Sequence, residues 1–131
     1  MNKLTAKQLL MINRKLVGED VADSDESLKI LEEIAKIPYE QDERFFYIYK
    51  NTVAKAAKLG CAIARIKPFR KKNNQSAVFS LLTLLELNKI KLVDYENDLA
   101  TLVSLLEAGD VEKTGKWIEK YQIQGDLTEQ V

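Results

Sequence analysis

The chain has 131 residues, 46% of them hydrophobic, with five Gly, two Pro, one Cys and no His. That length suits one compact domain with a single core, and the scarcity of Gly and Pro favours continuous helices over long irregular stretches. The absence of histidine excludes histidine general-base catalysis and histidine metal ligation. The lone Cys61 excludes an internal disulfide and a structural zinc site, and it agrees with a reducing compartment.

Net charge is zero, yet the charges are segregated along the chain. Residues 1–18 carry +4, residues 19–44 carry −7, residues 45–92 carry +9 and residues 93–131 carry −6. Such polarity says more about partners than the overall balance does. The longest apolar-rich stretch, Val78 to Leu85, is interrupted by Ser80 and Thr83 and is too short for a membrane span. With no apolar signal region behind Met1-Asn2-Lys3-Leu4, the expectation is a cytoplasmic protein without membrane contact.

The elements read as helix after helix. Thr5 with Gln8 forms a capping box for a helix over about 6–17, with Leu9, Ile12 and Leu16 inward and Gly18 as its stop. An acidic link from Glu19 to Glu26 follows, either folded over basic groups or simply exposed, with exposure the default. A second helix then bears Leu28, Leu31, Ile34 and Ala35 on one face, up to Pro38. The aromatic run Phe45-Phe46-Tyr47-Ile48-Tyr49 reads as a short helix entering a longer one; its rings form either core, the favoured reading, or a partner groove.

The segment 51–66 carries Ala54, Ala56, Ala57, Gly60, Cys61, Ala62 and Ala64, small nearly all the way round. Such a helix belongs at the centre of a bundle, where small side chains let its neighbours approach closely. A basic loop over 67–73 leads to an apolar helix over about 74–88, stopped by Asn88. A further helix over about 96–108 ends at Gly109, and Asp110 caps a last one carrying Val111, Trp117, Ile118 and Tyr121. Cys61 reads as a core thiol and Trp117 as a packing anchor. The fold class is all-α, with about six helices in one domain over 1–121 and a polar, flexible tail over 122–131.

The run from Ala56 through Ile66 into Lys67-Pro68-Phe69, then Asn73-Asn74-Gln75-Ser76-Ala77 and Leu84-Leu85-Glu86-Leu87-Asn88, resembles the centre of the Fic/Doc family. There a central helix enters a His-Pro-Phe motif and a phosphate-cradling turn. The opening Leu4-Thr5-Ala6-Lys7-Gln8-Leu9-Leu10 is similar to the short Doc (death-on-curing) branch, so the resemblance spans about residues 4–121. It implies a Fic/Doc-type bundle around 51–66, a protein-hydroxyl transfer reaction by a kinase or AMP-transferase, and a small antitoxin-like protein partner.

Laid along that motif, the loop departs from it at the reactive positions. Lys67 stands in place of the histidine that takes the target hydroxyl proton, and Lys71 in place of the acid that holds magnesium on the nucleotide. Lys72 replaces a small residue, Asn74 replaces Lys or Gly, and Gln75 replaces the arginine. Only Phe69 and Asn73 match. A general base works best with a pKa near the working pH, and a lysine ordinarily titrates near ~10.4. A lysine at 71 repels magnesium, which wants oxygen ligands.

The leading expectation is therefore a degenerate, catalytically defective relative that acts by binding, with no catalytic residues and no metal or other cofactor. One alternative is an active transferase using Lys67. A second is a module that contacts phosphate, nucleotide without magnesium, or nucleic acid through Lys67, Phe69, Arg70, Lys71, Lys72, Asn73, Asn74 and Gln75. That loop has five basic residues within 65–72 and no acid.

Overall fold

The structure, a computed structural model, describes residues 2–18 and 25–123, without the side chains of 25 and 26. Most of the acidic link and the tail beyond 123 lie outside the described residues. Among the described residues six α-helices follow in order: α1 (Ala6–Val17), α2 (Asp25–Lys36), α3 (Thr52–Ile66), α4 (Asn73–Leu87), α5 (Leu99–Ala108) and α6 (Val111–Tyr121). Single 3-10 turns, Ile37–Tyr39 and Glu96–Asp98, precede the loop into α3 and the start of α5. The chain is all-α, and no described helix is long and apolar enough to cross a membrane.

Local chemistry sets the helix ends. Thr5 Oγ1 accepts the Gln8 N–H at 3.2 Å while Gln8 Oε1 accepts the Thr5 N–H at 2.8 Å, and Gly18 closes α1 in the left-handed region. Asn51 and Asp110 cap α3 and α6 by accepting the N–H groups of Ala54 and Lys113. Gly109, at φ 71, ends α5.

Packing follows from the small-residue surface of α3. That helix touches α2, α4, α5 and α6, while α1 packs on α2 and α4. Ala56, Ala57, Leu59, Gly60, Cys61, Ala62, Ile63 and Ala64 are all buried. A Cβ added at Gly60 would lie 2.9 Å from Leu106 Cδ2 and 3.1 Å from Leu81 Cδ1, so α3 meets α4 and α5 closely enough that a methyl there would press on both leucines. Leu9, Leu31, Ile34, Ile63, Leu81, Leu102, Leu106 and Ile118 complete the core, each stabilising the fold by about 1.5–3 kcal/mol through burial. Cys61 lies in this core with Sγ 3.8 Å from Thr114 Oγ1, and burial pushes its thiol pKa up.

Two sequence expectations need correction. The run 45–49 is not helical, and most of it is not core: it forms one arm of a tight hairpin in which Gln41 pairs with Tyr47. Asp42 N–H donates to Phe46 O at 2.8 Å and Ile48 N–H to Glu40 O at 3.0 Å. The Asp42 carboxylate accepts the N–H groups of Arg44 and Phe46, which turns the chain, and Phe45 at the tip has φ 67. Phe45 and Phe46 are 80% and 60% exposed. The helix expected from about 96 instead starts at Leu99, because 96–98 winds as a 3-10 turn.

Candidate functional site

The basic loop joins the C-terminus of α3 to the N-terminus of α4, and three of its residues anchor it. Phe69, 7% exposed, drops into the core. Asn73 Oδ1 accepts the Phe69 N–H at 2.9 Å, and Asn73 Nδ2 donates to Phe69 O at 2.8 Å. Lys67 and Lys72 both occupy the left-handed region, at φ 53 and φ 58, so the loop reverses direction twice in six residues.

Neighbouring helices hold the turn from outside. The buried Asn13 of α1 donates through Nδ2 to Lys71 O and to Ser76 Oγ, both at 2.9 Å. Lys72 Nζ donates to Leu16 O at 2.8 Å, a cation on the last-turn carbonyls of α1, where the helix dipole favours it. Asn74 Nδ2 donates to Glu107 Oε1 at 2.7 Å, and Arg65 Nη1 donates to Glu107 O at 3.1 Å.

The residues singled out from sequence thus divide. Asn73, Asn74 and Lys72 are engaged by the scaffold, and Phe69 is core. Lys67, Arg70, Lys71 and Gln75 are exposed, and none of their side chains has a hydrogen-bond or ionic partner among the described residues. Lys72 precedes α4 without a side-chain hydrogen bond, so its side chain does not cap the first N–H groups of that helix. Glu107 and Asn13 were not legible as loop residues. They reach it from 33 and 58 positions away in sequence, and no local pattern encodes that contact.

The exposed side chains of the loop are cationic or neutral. Glu107 is the carboxylate that reaches the loop, and it is already bonded to Asn74. Among the described residues no group of three or more His, Cys, Asp or Glu is placed to hold a metal. The magnesium–nucleotide chemistry implied by the resemblance does not fit these residues: a lysine occupies the acid position, and Gln75 offers no bidentate phosphate clamp. No protein-family model, curated protein or solved structure matches the chain.

Proposed function

We propose that the chain is a Doc-like binding protein in which the basic loop docks a small acidic protein partner, without the transfer reaction. The observation that carries this reading is the division within the loop. Its shape-keeping residues, Phe69 and Asn73, are fixed in place, while the positions that would do chemistry are the exposed cations Lys67 and Lys71 and the exposed amide Gln75. Lys72 adds support for the alignment. The family pattern has a small residue there, and φ 58 is the backbone that glycine adopts most readily. A reading with Lys67 as catalytic base is less favoured, since the residue is exposed and no carboxylate among the described residues is bonded to its amine.

A growth assay tests the scaffold claim. The native chain is expected to be harmless when expressed. The combined substitutions Lys67→His, Lys71→Asp, Lys72→Gly, Asn74→Lys and Gln75→Arg make it toxic if the turn is a disarmed Fic/Doc loop. A folded but inert quintuple variant removes the basis for the alignment.

A second reading uses the same loop to hold a phosphate-bearing ligand or nucleic acid without magnesium. The uncapped N-terminus of α4 beside Arg70 and Lys71 favours it. Binding to DNA or RNA that falls steeply with salt, and is lost in Arg70→Ala/Lys71→Ala, would select this reading.

A further inference from the structure

Lys58, Cys61, Ala62 and Arg65 follow one another at the spacing that sets side chains on a single face of α3. That face borders an open-sided cavity of about 320 Å³. Ile37, from the 3-10 turn after α2, forms one wall, and Gly109, from the turn between α5 and α6, forms the other. Cys61 and Ala62 are too short to fill the space between these walls, and they make its floor. The Cys61 thiol is already taken up, with Sγ 3.8 Å from Thr114 Oγ1, so the floor is effectively apolar.

A cation stands at each end of the floor. Lys58 and Arg65 are two helical turns apart, about 10 Å along the axis of α3. The Arg65 stem packs on Gly109, where an added Cβ would lie 2.7 Å from Arg65 Cδ, and Arg65 Nη1 donates to Glu107 O at 3.1 Å. Lys58 Nζ lies 5.7 Å from the Tyr49 ring centre. These contacts place the two cations and leave most of their N–H donors over, and neither forms an ion pair among the described residues. The neighbouring carboxylates are engaged and do not line the cavity. Glu107 accepts Asn74 Nδ2 at 2.7 Å, while Asp110 accepts the Lys113 N–H and lies 4.0 Å from Lys113 Nζ.

We infer that this cavity binds a small dicarboxylate with an apolar middle, laid along α3 with one carboxylate on Lys58, the other on Arg65, and its methylenes over Cys61 and Ala62. The volume lies at the small end of ligand pockets, which run from about 300 to 1,000 Å³, so the ligand is small. Two separated cations call for two anionic groups, since a monoanion leaves one of them unmatched. Carboxylate is the group that the planar guanidinium of Arg65 pairs with most favourably in two parallel bonds. A ligand polar throughout would set its middle against a methyl and a bonded thiol, losing water without gaining a partner.

This inference is independent of the loop's role. Suberate, whose extended length matches the separation of the two cations, is the probe, titrated into the isotope-labelled full chain at constant ionic strength. Amide chemical shifts at Cys61, Ala62 and Gly109 are expected to saturate together, with a Kd on the order of 1 mM for so small a ligand. Succinate, too short to reach both cations, and octanoate, with a single carboxylate, should each bind about 5-fold more weakly. Lys58→Gln and Arg65→Gln, with unchanged helical circular dichroism, should each weaken suberate by a similar factor of about 5. The absence of saturation up to about 20 mM overturns the inference. Equal affinity for the three acids overturns it as well, as do shifts that saturate only away from the cavity or an affinity unchanged in both variants.

Discussion

The side-chain amide of Asn73 brackets the backbone of Phe69, accepting its N–H at 2.9 Å and donating to its carbonyl at 2.8 Å. One residue thus closes the loop between α3 and α4 and fixes the ring of Phe69 in the core. Replacement by Ala strands both backbone groups in a half-buried site, where each unsatisfied group costs about 1–3 kcal/mol. Asn73→Ala is expected to lower stability by about 2 kcal/mol in urea unfolding, and Asn73→Asp, which keeps the acceptor and loses the donor, by less.

The same turn is held from α1 by Asn13, which is 7% exposed and donates to Lys71 O and Ser76 Oγ. Asn13→Ala leaves both acceptors without their donor and opens a small cavity. A loss of roughly 2 kcal/mol is expected. Hydrogen exchange should quicken at Ser76, whose N–H bonds to Lys72 O at the start of α4, while the α3 amides stay protected.

At Gly60, helix propensity and packing oppose each other. Alanine gains about 1 kcal/mol of propensity in mid-helix. Its methyl, however, meets Leu106 Cδ2 at 2.9 Å and Leu81 Cδ1 at 3.1 Å, both from fully buried leucines. Overpacking a core typically costs about 1–3 kcal/mol. The expected balance is a net loss of about 1 kcal/mol for Gly60→Ala, read as a lower urea midpoint at constant slope.

Asp98 ties the start of α5 to α6. Its carboxylate accepts the Tyr121 hydroxyl at 2.6 Å and Trp117 Nε1 at 3.1 Å, with Lys120 Nζ at 4.0 Å. The Tyr121 hydroxyl foremost, then Thr101, with Lys120 and Trp117, hold the Asp98 carboxyl below its ordinary range. The same bond raises Tyr121. A depressed carboxyl stabilises the fold above the ordinary value of about 3.9, and that contribution disappears as pH falls through the folded value. Tyr121 contributes fully below about 10 and loses its contribution as pH rises through its raised value. Thermal unfolding of Asp98→Asn should therefore show a flatter acid limb than the wild type. An identical acid limb in both proteins would assign acid sensitivity to other carboxylates.

Much of this architecture was legible because it is local. Thr5 with Gln8, Asp110, Gly18 and Gly109 announced their helix ends, and the alanine-rich surface of 54–64 announced a central helix. The hairpin was not legible, because its turn depends on the Asp42 side chain and on a phenylalanine at φ 67, a conformation that residue type seldom adopts. The tyrosines that alternate inward do so over Lys55 and Lys58, contacts that a run of aromatics does not predict. For the loop, the sequence supplied its charge. It did not supply the contacts with Asn13, Leu16 and Glu107 that decide which polar side chains remain free.

Calorimetric titration of the purified chain with ATP and with ADP, each with and without magnesium, tests most directly the proposal that the chain binds without transfer chemistry. If the proposed alignment holds, with Lys71 at the acid position and Gln75 at the arginine position, no heat that depends on magnesium is predicted, and any binding should weaken as salt rises. Saturable binding that requires magnesium would contradict the account, because it would mean that the loop assembles a metal–nucleotide site from residues that lack the ligands for one.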